Sequence, residues 1–322
     1  MTRRRLLQLL ASAVATVVLG YFVVSSLSIG DFEALARDFD FRSLLLAFAL
    51  YVGANVVRAF RFRLLVGGGV SARAFLRIIF VQNFMNTFLP LRAGEVSYVY
   101  MVHRTGNVTA GRSVGSLLAA RALDFLAAVL VPLVISPFSR AFATSGLVLL
   151  WLGAFVLVGS ALLALAVTRA EPIADYLSKR LSSRRAWLVR AGTLLGDTLR
   201  SLGQLRERNV LSRVVLLSLS CWLLIYASGY ALLAGTGLEL SLADAVFAYG
   251  FPVIASMTPL YMLGGFGVYE GSVGAGLAMV GVAVGAALAS GVLLHVAELS
   301  FVVVLLFAAP LLGRQSAPAE SA

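Results

Sequence analysis

The chain has 322 residues, 60% apolar and 13% charged, about half the ~25% charge of an ordinary soluble protein. So few charges cannot give a chain of this length a polar surface, which argues against a soluble enzyme, a disordered protein and a nucleic-acid-binding domain. The composition predicts an all-α polytopic membrane protein, and the net charge of +11, carried by arginines and the single Lys179, then needs its own account.

A helix needs about 20 apolar residues to cross the hydrocarbon core. Arg3-Arg4-Arg5 followed by Leu6 to Leu27 is charged like a signal sequence. Its apolar run is longer than a signal h-region and has no small-x-small cleavage site, so it reads as an uncleaved span, 6–27. The second span is 42–66. Asn55, Arg58 and Arg61 fall on one helical stripe there. Arg61 and Arg63 read as cytoplasmic anchors, and Asn55 and Arg58 lie deeper, within reach of a head group. Residues 74–103 are too long for one helix and are broken at the centre by Pro90, Arg92, Gly94 and Glu95. They read as a re-entrant hairpin, tolerated at depth only inside protein or beside a wet cavity.

Spans 114–138 and 142–168 follow, the latter opening a second membrane half within residues 1–168. The basic stretch 169–209 reads either as an amphipathic helix on the anionic inner leaflet or as a plain solvated connector. Residues 210–312 carry span 210–234, a second broken region at 244–281 and span 284–312, before a disordered tail, 313–322. The second break holds Pro252, Pro259, Gly264, Gly265, Gly267 and Glu270. Cys221, the single cysteine, excludes an internal disulfide and reads as a small buried hydrophobe.

With the amino terminus in the cytoplasm, three basic residues fall outside and 21 inside, and the net charges are −3 outside, −2 in the membrane core and +16 inside. That asymmetry follows the positive-inside rule. It predicts a protein of the cytoplasmic membrane with both termini inside, and it leaves no charge for a nucleic acid to explain.

The two broken regions repeat each other. Pro, Gly and Glu occur in the same order in both, with Glu270 lying 175 residues after Glu95. Arg121-x-x-Asp124 recurs 174 residues later as His295-x-x-Glu298. The first hairpin enters from the basic side and the second from the acidic side, so the halves are inverted. Paired broken helices in inverted repeats are the architecture of alternating-access transporters, with the substrate site at the repeat interface.

Ionisable side chains at membrane depth are costly, and each needs a partner or a function. Asn83 and Asn86 project from the first half-helix, which Pro90 ends for want of a backbone donor. Gly94 permits a tight bend, and Glu95 begins the next half-helix. Free N–H groups there and Arg92 can form an anion site suited to phosphate; alternatively Arg92 and Glu95 pair to close the hairpin. Gly264, Gly265 and Gly267 permit a sharp turn, after which Glu270 either caps the leaving half-helix or binds a cationic head group or a proton. Arg121 and Asp124 share a face and can neutralise each other. His295 and Glu298 form a looser pair and a candidate proton relay. There is no H-E-x-x-H, G-x-S-x-G or Walker motif and no metal-ligand cluster, so neither catalytic residues, nor a metal, nor a cofactor is expected.

Asn83-x-x-Asn86-x3-Pro90-x-Arg92-Ala93-Gly94-Glu95, Arg121-Ala-Leu-Asp124 and Pro259 followed by Gly264-Gly265-Phe-Gly267-Val-Tyr-Glu270 together resemble the transmembrane domain of the lysylphosphatidylglycerol synthase/flippase family. The likeness runs from about residue 10 to 312. It implies a lipid flippase whose site draws on Asn83, Asn86, Arg92, Glu95, Arg121, Asp124, Glu270, His295 and Glu298. The partners it implies are membrane lipids and, in an alternative reading as a non-catalytic accessory subunit, a separate lipid-modifying or envelope-glycosylation enzyme. The chain ends soon after Arg314, so the aminoacyl transfer of the family's bifunctional members is not expected. The family pattern has Arg where His295 stands, which puts the second charge pair in question.

Overall fold

A computed structural model describes residues 37–67, 69–89, 93–106, 108–142, 210–257 and 263–312, with scattered positions in 30–36 and 146–198. The expected span 6–27, most of 142–168, the linker 169–209 and the tail lie outside the described residues, as do Pro90, Arg92 and Pro259.

The described chain is all-α. Helix α1 is Phe41–Val66, α2 Ala72–Phe88, α3 Ala93–Gly106 and α4 Ala110–Ile135, the last extended by a 3-10 turn, Ser136–Phe138. The second set is α5 Leu211–Gly235, α6 Leu242–Ser256, α7 Val268–Met279 and α8 Val284–Ala308, extended by Ala309–Leu312. Four segments, α1, α4 with its turn, α5, and α8 with its turn, are long and apolar enough to cross a membrane. The protein is a polytopic membrane protein.

Local chemistry sets the helix ends. The side chains of Asp40, Ser71, Thr109 and Ser241 each accept a first-turn N–H of α1, α2, α4 and α6. Gly67 closes α1 in the left-handed conformation, with φ 76°.

The two sets match element for element. Helices α5 and α6 begin 170 residues after α1 and α2 (211 against 41, 242 against 72), and α8 begins 174 after α4 (284 against 110). The sets run in opposite directions. Ser228 Oγ donates to the Ala47 carbonyl (2.8 Å), Cys221 Sγ to that of Ala54 (3.5 Å), and Arg61 to Ser218 Oγ (3.1 Å), so positions descend along α5 as they rise along α1. The helices are antiparallel neighbours across a seam of Ala47, Gly53, Ala54, Ser218, Cys221 and Ser228. Small residues let backbones approach where lipid supplies no hydrophobic drive.

The ends of the bundle differ in charge. Val66, Val70, Val102, Val108, Val210 and Val214 cluster where α1, α3, α4 and α5 meet, at the end carrying Arg63, Arg73, Arg104, Arg112 and Arg213. At the other end the loops around Asp40, Ser139 and Glu239 converge. Asp40 N–H bonds the Gly235 carbonyl (3.0 Å). The Asp244 carboxylate takes bonds from Ser139 Oγ (2.9 Å), Arg140 N–H (2.8 Å), Arg140 Nε (2.7 Å) and Ser241 Oγ (2.8 Å). The α2–α3 hairpin opens toward the basic end and the α6–α7 hairpin toward the acidic end, so both turn back inside the bundle.

Candidate functional site

The two hairpins meet. Helix α2 packs on the turn Leu263–Gly265 of the second hairpin and on α8. Between them lies a cavity of about 190 Å³ whose lining includes Tyr51 and Arg58 of α1, Asn83, Asn86 and Thr87 of α2, Arg121 and Asp124 of α4, Trp222 of α5, Ser256 at the end of α6 with Met257 after it, and His295 and Glu298 of α8. Glu95, Glu270, Gly94 and the second-hairpin glycines are not among the lining residues.

Glycine geometry makes the tips compact. A side chain at Gly94 would collide with the Gln82 carbonyl and Asn86, so the two limbs of the first hairpin touch there. In the second, Gly264, Gly265 and Gly267 all have φ between 79° and 84°, a conformation that other L-residues rarely adopt.

The charge pairs are not those that sequence spacing suggested. Arg121 and Asp124 share a face, and each also reaches a partner on another element. Arg121 Nε lies 3.0 Å from Glu95 Oε1, joining α4 to the first hairpin. Asp124 is instead gripped by both terminal nitrogens of Arg61 (2.6 and 3.1 Å) and by Trp222 Nε1 (2.9 Å). Arg61 is therefore no cytoplasmic anchor: it is fully buried, and an ion pair with hydrogen bonds to α4 and α5 offsets its desolvation. Sequence spacing failed here because Asp124 satisfies a bidentate guanidinium from another helix better than a neighbour on its own.

In the second half His295 likewise leaves Glu298 for Glu270. Its Nδ1 lies 2.7 Å from Glu270 Oε1, and its Nε2 lies 2.7 Å from the Gly264 carbonyl. Glu270 also caps α7, its Oε2 accepting the Gly267 N–H at 2.7 Å. His295 thus holds toward Glu270 the place that Arg121 holds toward Glu95 in the first half. Glu298 accepts through one oxygen from both the Tyr249 and Tyr269 hydroxyls.

Arg58 lines the cavity with no carboxylate partner among the described residues. Its hydrogen bond goes to Asn83 Oδ1 (3.3 Å), which in turn donates to Asn55 Oδ1 (2.7 Å), and its buried Nε has no partner. Asn86 Oδ1 is likewise buried without one. The sequence reading placed Arg58 within reach of a head group but passed over Tyr51, Trp222, Tyr249 and Tyr269. The available signal was an aromatic with a polar tip on an otherwise apolar helix, which demands a buried partner. Among the described residues no group of three His, Cys, Asp or Glu side chains could hold a metal ion.

Fold and site define an all-α membrane protein with a polar cavity between two inverted, broken hairpins. The chain matches the family model of the lysylphosphatidylglycerol synthase TM region over residues 8–306 and belongs to that family. No curated protein and no solved structure matches it.

Proposed function

We propose that the protein is a lipid flippase of the cytoplasmic membrane, with its basic end and both termini in the cytoplasm. It passes the polar head of a phospholipid or lipid-linked amphiphile through the cavity while the tails stay in the bilayer. Membership in a lipid-handling membrane family supports the class. The observation that carries the reading is the chemistry of the cavity wall: among the described residues Arg58 hydrogen-bonds an asparagine rather than a carboxylate, and Glu298 accepts from two tyrosine hydroxyls. A phosphate-bearing head with a donor group answers both, and burial in the bilayer interior strengthens each contact. Asn83, Asn86, Arg121, Asp124 and His295 complete the wall. By its place between Pro90 and Gly94, Arg92 belongs to the same proposal.

The test is translocation of fluorescent phospholipids in proteoliposomes, read by dithionite quenching. Wild-type protein should move label between leaflets, and Arg58→Ala and Glu298→Gln should lose most of that activity while remaining folded. Full activity in both variants sinks the site. Tight lipid binding without translocation by the wild type would turn the reading toward an accessory subunit that presents lipid to a separate enzyme.

A further inference from the structure

His295 is buried yet borders the cavity, and both its ring nitrogens face acceptors. The Gly264 carbonyl can only accept, so Nε2 carries a hydrogen. The contact of 2.7 Å between Nδ1 and Glu270 Oε1 then needs one further proton. Either Nδ1 holds it, giving imidazolium against carboxylate, or Oε1 holds it, giving a neutral acid that donates to the ring. In both forms the pair is neutral and shares one proton. Remove that proton, and a nitrogen lone pair faces an anion; the contact becomes repulsive and opens.

This tie fastens both ends of the second hairpin's turn. His295 holds the Gly264 carbonyl, and Glu270 holds the Gly267 N–H. The first half has the same two positions filled by Glu95 and Arg121 at 3.0 Å, and a guanidinium does not give up its proton in proteins. The first hairpin is therefore joined to α4 by an ion pair with no removable proton, and its inverted mate to α8 by a contact that has one. The groups around the pair suit an exchanging proton. Tyr269 of α7 stacks on the imidazole (centroids 4.6 Å apart), and Phe266 packs at 5.0 Å. Glu298, with the hydroxyls of Tyr249 from α6 and Tyr269, lies one turn further along α8. The cavity beside His295 reaches Arg121 and Asp124 of α4 and Arg58 of α1.

Building on the transport reading above, we propose that the Glu270–His295 pair is the binding site of a coupling proton: one proton is taken up or released at this pair each time the second hairpin tip is fastened or freed. The lipid would then move in exchange with, or together with, that proton. No covalent change occurs; the proton passes between the shared position and water in the cavity.

The experiment is dithionite-read translocation of NBD-phosphatidylethanolamine and NBD-phosphatidylglycerol by the full chain in proteoliposomes, with and without an imposed pH gradient, and with lumenal pyranine recording pH. For wild type, the gradient should change the rate severalfold, a protonophore should cancel the change, and translocation should shift lumenal pH. His295→Arg, which places the first half's residue in the second, should respond to the gradient less than 1.5-fold on the order of assay error. Wild-type translocation that ignores the gradient and leaves pyranine unchanged overturns the proton site and leaves the transport reading standing. A His295→Arg variant with the full gradient response also overturns it. Absence of wild-type translocation under every gradient overturns the transport reading itself. The pyranine record of the wild type decides the matter even where the variant fails to fold.

Discussion

The two halves share an architecture but not an electrostatic design. In the first, Arg58, Arg61 and Arg121 are permanent cations. Arg61 and Arg121 cross-link α1 and the first hairpin to α4 through Asp124 and Glu95. In the second, the offset of 170 residues sets Ser228 against Arg58 and Ala231 against Arg61, and His295 replaces Arg121. The acid matching Asp124 is Glu298, which accepts from two tyrosine hydroxyls instead of a guanidinium. The difference teaches that an inverted repeat can join its elements through arginine–carboxylate pairs in one half and through tyrosine and histidine contacts in the other.

Breaking the arginine–carboxylate half should cost most. Asp124→Ala leaves Arg61 buried and unpaired and should destabilise the protein by about 3–5 kcal/mol, seen as a large drop in unfolding temperature in detergent. Glu298→Gln keeps an acceptor for both tyrosines and should cost under about 1 kcal/mol in the same assay. Equal losses would erase the contrast between the halves. Arg58→Ala removes a charge with no carboxylate to orphan among the described residues, so it should spare stability and lower lipid translocation about 10–100-fold, the equivalent of one charged hydrogen bond. Gly94→Ala forces the limbs of the first hairpin apart at Gln82 and should cost about 1–3 kcal/mol by overpacking.

The smallest effect belongs to the acidic end. Burial alone would raise the Asp244 carboxyl, but the hydrogen bonds from the Arg140 backbone and guanidinium, Ser241 and Ser139 outweigh it and hold it below its ordinary value. A carboxylate lowered on folding stabilises fully above its unfolded value and loses that contribution as pH falls through the folded one. Asp244→Asn should therefore unfold at a lower temperature than wild type at neutral pH, with the gap closing in acid. A gap that widens in acid would refute the assignment.

Much of the fold was legible because the bilayer permits few solutions. Of the six expected spans, four coincide with described helices within a few residues of their observed ends, the other two lie wholly or mostly outside the described residues, and glycines stand at both breaks. The ionisable residues around the cavity were legible as well, since such a group on an apolar helix stands out. What sequence could not show was who pairs with whom. Residues three apart on one helix do face the same way, but Asp124 and His295 chose partners 63 and 25 residues distant because those complete bidentate or double-acceptor geometry. Arg61 was misplaced for a related reason: near a helix end, charge alone does not distinguish a side chain that reaches outward to water from one turned inward to a carboxylate.

The seam between α1 and α5 carries an experimental gift. Cys221, the sole cysteine of the chain, is fully buried there with its thiol on the Ala54 carbonyl. Whenever the halves separate along that line, sulfur becomes reachable. The rate at which a membrane-permeant maleimide labels the unmodified protein is thus a clock for the opening of its central joint, readable with no engineered probe and in living cells.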